Sequence, residues 1–256
     1  MNLMTCETSV TSDPRQNHLL AALPDCDWSR WLPQLELVNL PLGKVVCEAS
    51  SQMTYLYFPT TAVISLLCTT VEGGTAEVAV VGNDGVVGVS LIMGGNTMLN
   101  QAVVQSAGQA YRLPSRPVKT EVERGGPALQ LLLRYTQSLI SQVMQLAACN
   151  RHHSIDQQLA RRLLIALDRS NSNEIAMTQE GVASLLGVRR EGVTAAALKL
   201  QLDGVIRYQR GHISVLDRAR LEQRTCECYA AVSNEHRRLL PTSVPARTLV
   251  PMLIAA

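Results

Sequence analysis

The chain has 256 residues, and its 46% hydrophobic and 17% charged composition is typical of a folded protein and excludes an intrinsically disordered one. The sequence contains no run of about 18 apolar residues, which a membrane span would need, and no secretory signal is visible. We therefore expect a cytoplasmic protein. Residues 1–150 carry 8 basic against 11 acidic side chains and residues 151–256 carry 15 against 10, so a polyanionic partner would meet the C-terminal part.

Short amphipathic helices are predicted near the N-terminus, in residues 19–35. Apolar side chains recur there at helical spacing: Leu19, Leu20, Leu23, Trp28, Trp31 and Leu32. From about residue 36 to residue 113 the pattern changes to short β-rich runs separated by turn residues.

Three turn signals divide this β-rich part. The first is the turn Pro41–Lys44, the second is a hairpin turn at Glu72–Gly74, and the third is Ala107–Gly108 within a further predicted strand pair. No helix long enough for a parallel crossover intervenes. The pattern therefore predicts an antiparallel barrel or sandwich.

A long helix is predicted over residues 128–150, which contain neither Gly nor Pro. One apolar seam has heptad-like spacing: Leu132, Thr136, Leu139, Val143 and Leu146. A second apolar edge follows another line on the same helix: Leu133, Ile140, Met144 and Ala147. We expect the first seam to form a parallel dimer contact, with packing on the barrel as the alternative, and the two edges leave room for both contacts.

The next stretch predicts two helices that cross at a glycine. A helix over Ile155–Arg169 comes first and is closed by Asn171–Asn173. Thr178 is a good N-cap for the following helix, and Met177 can pack against Val182. The buried edge of this helix is Val182, Leu185 and Leu186, and Gly187 permits the sharp turn that follows.

The second crossing helix buries Val193, Ala197 and Leu200 and turns Arg190, Glu191, Thr194 and Ala195 outward. A hairpin follows, with apolar runs at 205–208 and 213–216 around a basic turn at Arg210–Gly211. Together these elements predict a winged helix-turn-helix that binds double-stranded DNA.

With these residues in place, the chain resembles the CRP/FNR superfamily of bacterial transcription regulators, most specifically in "GVRREGVTAAALKL". The resemblance implies an α+β fold: a jelly-roll-like antiparallel β-barrel sensor domain (18–127), a dimerisation helix (128–150), a winged helix-turn-helix domain (151–232) and a C-terminal tail (233–256). It also implies a homodimer on a palindromic operator, with RNA polymerase as a partner, and no catalytic activity.

The resemblance implies which residues read DNA. Arg190 and Glu191 would contact base edges, because an Arg binds guanine in a bidentate way and a Glu accepts from cytosine N4. Arg189 stands where relatives often have a Ser or Thr cap and would contact phosphate. The rest of the expected DNA-binding set is Thr178, Thr194, Lys199 and Arg210. Gly192 and Ala195 depart from the family pattern, so the preferred operator could differ from the best-known half-site.

The family's cyclic-nucleotide motif is missing. Val89, not Glu, follows Gly88, and residues 89–110 contain no Arg or Lys to pair with a phosphate. Gly82, Gly85 and Gly88 are more consistent with tight turns than with a phosphate cradle. We therefore do not expect control by cyclic AMP, no cofactor is predicted, and the effector is unknown.

Two other functions stay open. Cys226, Cys228 and Cys149, the last just before His152 and His153, could serve redox or metal sensing. Against this, cysteines two apart on a helix point to different sides, and no iron–sulfur spacing is present, so no metal is predicted. Alternatively, the winged domain could bind a protein partner. The sequence has no P-loop, nucleophile elbow or dinucleotide fingerprint, so an enzyme is not expected.

Overall fold

The computed structural model describes residues 13–169, 173–209 and 211–241. Its N-terminal part, residues 13–124, is called the sheet region below and contains four α-helices, two short 3-10 helices and seven strands. The helices are α1 (His18–Ala21), α2 (Asp25–Trp31), α3 (Val89–Ile92) and α4 (Ser115–Arg124). The strands are β1 (Glu36–Leu40), β2 (Val45–Cys47), β3 (Tyr55–Pro59), β4 (Val63–Thr69), β5 (Thr75–Val81), β6 (Gln101–Ser106) and β7 (Gly108–Pro114).

Two antiparallel sheets enclose one core in the sheet region. One sheet has the strand order β1-β7-β3 and the other has the order β2-β6-β4-β5. Leu56 and Leu113 from the first sheet and Ile64 and Ala102 from the second are fully buried in the same apolar cluster. Trp31 of α2 is buried in this cluster, with its ring centroid 6.0 Å from that of Phe58. The predicted α+β class with an antiparallel, jelly-roll-like sheet arrangement is confirmed.

The β4–β5 hairpin forms as predicted, but the predicted pairing around Ala107–Gly108 is wrong. Strand β6 pairs with β2 and β4, while β7 pairs with β1 and β3, so the chain changes sheets at Ala107. A Cβ at Gly108 would lie 2.4 Å from the backbone nitrogen of Ala62, so only glycine allows this close crossing. Strand β3 and helix α4 were not predicted, since their sequences lack a clear period.

Helix α5 (Pro127–His152) is the predicted long helix, and its two apolar edges differ in exposure. Leu132 and Thr136, from the seam expected to form a dimer, are buried, and Leu139 packs against the sheet-region core. On the second edge, Leu133, Ile140 and Met144 are 46%, 49% and 68% exposed, and Val143 of the first seam is also exposed, at 38%. The apolar spacing is similar on both edges, so only the packing of the sheet region against α5 decides which edge turns outward.

The C-terminal region, residues 153–241, contains five helices and a small three-stranded sheet. Its helices are α6 (Ile155–Asp168), α7 (Gln179–Leu186), α8 (Arg190–Leu202), α9 (Arg218–Arg224) and α10 (Glu227–Leu239). Its strands are β8 (Glu174–Ala176), β9 (Ile206–Gln209) and β10 (His212–Val215), in the order β8-β10-β9. Of the predicted helix end at 171–173, residues 171 and 172 lie outside the described residues.

Helix α10 runs antiparallel to α5 and returns the chain to the sheet region. Ser138 and His236 hydrogen-bond each other (Oγ–Nδ1 3.1 Å), and Gln145 lies beside Cys228 further along the pair. Leu239 and Leu240 are buried in the sheet-region core. The tail predicted to begin at residue 233 therefore starts inside a packed helix, and residues 242–256 lie outside the described residues.

A buried ion pair joins α6 to the sheet region. Nε of Arg162 lies 2.7 Å from Glu77 Oε1 on β5, and both side chains are almost completely buried. Burial lowers the pKa of Arg162, and the carboxylate of Glu77 opposes that shift. Ser65 donates to Glu77 at 2.6 Å, and Arg162 also donates to Gln105. Breaking such a pair by removing one partner costs about 3–5 kcal/mol, because the other charge stays buried and unpaired.

A second ion pair joins the end of α6 to the loop after β5. Nη2 of Arg169 lies 3.0 Å from Asp84 Oδ2. A Cβ at Gly82 would lie 2.8 Å from the Arg169 side chain, so the glycine makes room for the arginine. Although burial raises the pKa of Asp84, the charges of Arg169 and His236 and a hydrogen bond from the Gly82 N–H lower it to about 2.

The low pKa of Asp84 predicts an acid-dependent loss of stability. A depressed folded-state pKa stabilises the fold above the ordinary value of 3.8 and loses that contribution as the pH falls toward about 2. We expect Asp84→Asn to remove about 2 kcal/mol of unfolding free energy at pH 5. The mutant should then lose less stability than the wild type between pH 4 and pH 2.

Urea unfolding at several pH values measures both effects. Asp25→Asn, at a fully exposed position, is the matched control and should follow the wild-type pH dependence. Identical acid dependence in Asp84→Asn and the wild type would contradict the assignment.

Candidate nucleic-acid interface

Helices α7 and α8 form the predicted helix-turn-helix. The Thr178 hydroxyl accepts the backbone N–H of Gly181 at 3.0 Å, which caps α7 as expected. Met177 and Val182 are both buried in the same cluster. Gly187 ends α7 in the left-handed conformation, with φ of +65°, which a side-chain-bearing residue adopts only at a cost. The turn between the two helices therefore depends on this glycine.

Helix α8 packs against α6 and α7 along the predicted edge. Val193, Ala197 and Leu200 are buried, and Ala196, which was not predicted, is fully buried with them. Gly192 faces Ile155 of α6, where a Cβ would lie 2.6 Å from the Ile155 Cδ1. The departure from the family pattern at Gly192 is thus a packing feature: the glycine lets α8 approach the start of α6.

The outward face of α8 begins with three charged residues. Arg189, at the N-cap, and Arg190 and Glu191 in the first turn are exposed, and none has an ion-pair partner among the described residues. Other arginines of the C-terminal region do have partners: Arg162, Arg169, Arg218, Arg224 and Arg238. The fold therefore leaves Arg189, Arg190 and Glu191 available to a ligand.

Thr194 and Lys199 are also on α8 but have structural partners. Thr194 is exposed one turn after Arg190, and its hydroxyl bonds Gln179 Oε1 on α7 at 2.8 Å. Lys199 lies on the flank toward α6, where its Nζ is 2.7 Å from Asp156. Lys199 is therefore apart from the other predicted contacts. Gln179 positions the Thr194 side chain. This role was not predicted, because no sequence pattern distinguishes Gln179 from other polar helix residues.

The predicted wing is the β9–β10 hairpin, and it is tied to the start of α7. The Met177 N–H donates to the Gly211 carbonyl at 2.7 Å, and the Tyr208 hydroxyl donates to the Met177 carbonyl at 3.1 Å. Burial raises the pKa of Tyr208, and the nearby charge of Arg190 opposes the shift. These contacts place the wing, the Thr178 cap and Arg190 close together.

The wing and its neighbouring strand include two features that the sequence did not predict. Arg210 lies outside the described residues. Strand β8 pairs with β10 on the side away from β9, and its three residues are too few to give an alternating pattern. Arg207 and His212 are exposed on the hairpin and were not singled out from the sequence.

The expectation that Cys226 and Cys228 point to different sides of a helix is wrong. Cys226 is the N-cap of α10 and has extended backbone angles, so the helical spacing rule does not apply to it. Cys226, Cys228 and Cys149 form one buried cluster, and His153, but not His152, lies beside it.

Comparison with known proteins identifies the C-terminal region by sequence. Residues 157–224 match the family model of the Crp-like helix-turn-helix domain. No curated protein matches the chain. None of the helices in the described part of the chain is long and apolar enough to cross a bilayer.

Solved structures share the fold over most of this chain at low sequence identity. A crp/fnr-family transcriptional regulator from Eubacterium rectale is 20% identical, with a TM-score of 0.66 over 82% of this chain and 98% of its own. FixK2 from Bradyrhizobium japonicum is 14% identical, with a TM-score of 0.63 over 75% and 98%. A CRP/FNR-family regulator from Thermus thermophilus is 18% identical, with a TM-score of 0.60 over 73% and 97%. These similarities establish the fold.

Proposed function

We propose that this chain, which has the fold of CRP/FNR-family regulators and a Crp-like helix-turn-helix domain, is a sequence-specific transcription regulator that binds double-stranded DNA as a homodimer. One observation carries the proposal: the N-terminal end of α8 presents unpaired charged side chains while its apolar edge is fully buried. Arg189, Arg190 and Glu191 are exposed and have no ion-pair partner in the described chain, so this end of α8 is free to enter a DNA groove.

The chemistry of the first turn suits base reading in the major groove. Arg190 can donate two hydrogen bonds to guanine O6 and N7, and Glu191 can accept from the amino group of cytosine. Arg189 sits just before the helix, where it can reach a backbone phosphate. Thr178, at the start of α7, would contact the same DNA strand. From the sequence alone, we expect Arg210 to contact a phosphate as well.

The outward face is otherwise uncharged. Ala195 follows Arg190 and Thr194 on it, and Leu198 is 54% exposed one turn later. Small and apolar groups at these positions favour contact with a thymine methyl rather than a second bidentate contact to guanine. This supports an operator whose half-site differs from the best-known family sequence.

The homodimer is proposed to form through the exposed edge of α5. Leu133, Ile140 and Met144 repeat at intervals of seven and four residues, which is the spacing of a two-helix seam. The sheet region and α10 cover the other sides of α5, so this edge is the one that a second copy can reach. In such a dimer, the two α8 helices would have to lie roughly 34 Å apart, one turn of DNA, to enter successive major grooves. RNA polymerase is the partner through which such a dimer would act on transcription.

We propose that cyclic AMP is not the effector. The N–H of Gly82 donates to Asp84 Oδ1, and the N–H of Gly85 donates to the Gly82 carbonyl. The Tyr135 ring fills the space beside Gly85, where a Cβ would lie 2.4 Å from its hydroxyl oxygen. Since this loop is used by packing and residues 89–110 supply no cation, a cyclic phosphate has no group to bind there.

The proposed reading role predicts different effects for adjacent arginines. Arg190→Ala should cost about 1–3 kcal/mol on the selected operator and relax the preference at one base position. Arg189→Ala should weaken operator and scrambled duplex alike and reduce the salt slope by about one, as loss of a phosphate contact does. Fluorescence anisotropy on both duplexes at several salt concentrations measures this.

The matched control is Arg237→Ala, an exposed arginine on α10 far along the chain from the wing, which should bind like the wild type. If Arg190→Ala keeps both the affinity and the base preference of the wild type, α8 is not the reading helix. Equal binding of all three variants to every duplex would instead favour a protein partner for the winged domain.

The dimer assignment predicts a change in mass. Ile140→Glu and Met144→Glu place charges in the apolar seam and should shift the light-scattering mass toward a monomer of 27.9 kDa. Leu99→Glu changes another strongly exposed leucine, outside α5, and should stay dimeric. Dimers of unchanged affinity in both α5 variants would show that another surface joins the subunits.

The effector proposal predicts no heat of binding. Titration calorimetry of the full chain with cyclic AMP or cyclic GMP should show no saturable signal at physiological concentrations. Micromolar affinity for either nucleotide would mean that the phosphate is held by other groups.

A further inference from the structure

Three cysteines and one histidine from separate parts of the chain meet at the junction between α5 and α6. Cys149 lies in the last turn of α5, and His153 is the residue that ends this helix. Cys226 is the N-cap of α10, and Cys228 lies in its first turn. Their sulfur and nitrogen atoms all lie within 4.8 Å of one another. Nothing in the DNA-binding role uses these four side chains.

The distances within this group, the Cys₃His cluster, match the edges of a tetrahedron around one ion. Sγ of Cys149 and Sγ of Cys226 are 3.6 Å apart, and Sγ of Cys228 and Nδ1 of His153 are 3.5 Å apart. Thiolates bound to tetrahedral zinc at about 2.3 Å lie roughly 3.8 Å from each other and roughly 3.5 Å from an imidazole ligand. A disulfide would need the sulfurs about 2.05 Å apart.

The surroundings of the Cys₃His cluster also suit a metal centre. The three cysteines are buried, and His153 is only partly exposed. While Nδ1 of His153 faces Cys228, its Nε2 lies 3.2 Å from a carboxylate oxygen of Glu227. Metal-ligating histidines commonly bond a carboxylate through their second nitrogen, which fixes the ring orientation. Gln145 donates to Cys228 at 3.1 Å, as a donor to a thiolate ligand would.

The charge beside the cluster points the same way. Arg161 is buried close enough to Cys149 for its charge to favour a thiolate there. Its Nε has no hydrogen-bond partner among the described residues. A buried cation is costly unless a negative group compensates it. Three thiolates and a neutral imidazole around a divalent ion carry a net charge of −1, which Arg161 would complement.

We propose that Cys149, His153, Cys226 and Cys228 bind one zinc ion in a closed tetrahedral site. On binding, the three thiols lose their protons to solvent while three Zn–S bonds and one Zn–N bond form. Thiolate and imidazole ligands in tetrahedral geometry select Zn²⁺ among the common divalent ions. The close spacing suits a single ion rather than an iron–sulfur cluster, whose ligands attach to different irons. With all four positions taken by the protein, the ion is structural and not catalytic.

Such an ion would cross-link two helices at the point where the chain enters the C-terminal region. It would bind the end of α5 to the start of α10, one residue before the Ser154 cap of α6. The site is independent of the DNA-reading surface, so its test does not depend on DNA binding.

The test uses the full chain purified without chelator and begins with its metal content. Mass spectrometry of the metal should find one zinc per chain. After removal of zinc by a chelator under reducing conditions, added Zn²⁺ should raise the midpoint of thermal unfolding. Added Co²⁺ should give the intense visible bands of tetrahedral cobalt with a thiolate charge-transfer band, saturating at one ion per chain.

Matched variants locate the ion. Cys228→Ser and His153→Gln should lose stoichiometric zinc, whereas Cys68→Ser and His152→Gln, at exposed positions, should keep it. Glu227→Ala should keep the ion but weaken its affinity by about 10–100-fold, because Glu227 only orients His153.

Three results would overturn the proposal. They are wild-type protein that takes up neither Zn²⁺ nor Co²⁺, a Cys149–Cys226 disulfide in freshly purified protein, and a cobalt spectrum that is the same in Cys228→Ser and Cys68→Ser. If the chain bound no DNA, each of these measurements would still test the zinc site.

Discussion

The Arg162–Glu77 ion pair fixes where helix α8, the proposed reading helix, lies relative to the sheets. A guanidinium and a carboxylate held away from water must meet in one geometry, because any displacement leaves a buried charge without its partner. Helix α6 carries Arg162, and α8 packs on α6 through Gly192 and its buried alanines. The direction of α8 is therefore set by an ion pair inside the sheet region, which acts on α8 through α6.

The helix-turn-helix and the wing could be predicted because local sequence determines them. A capping threonine, a glycine that needs positive φ and an apolar edge at i, i+4 and i+7 act within some 25 residues. The proposed reading face lies opposite this edge, since Arg190 and Glu191 are exposed and do not belong to it. The placement of Lys199 beside Asp156 did not follow, because Asp156 is 43 residues away in the chain.

Long-range packing decided what the sequence left open. The two apolar edges of α5 have similar spacing, so only the sheet region and α10 select the buried one. Strands β6 and β7 are adjacent in sequence yet belong to different sheets. The Cys₃His cluster unites positions 149 and 226, and it depends on Cys226 standing just outside its helix. No local pattern contains this information.

Helix α10 gives the molecule a closed connectivity. The chain leaves the sheet region along α5, builds the winged domain, and returns so that Leu239 and Leu240 complete the first core. Cutting the chain at one peptide bond between α5 and α10 would therefore leave the first core without Leu239 and Leu240 in the same fragment. During synthesis, which proceeds from the N-terminus, the core that begins with Leu19 lacks its final side chains until nearly the whole described chain has left the ribosome. The first core to begin folding is therefore one of the last to be completed.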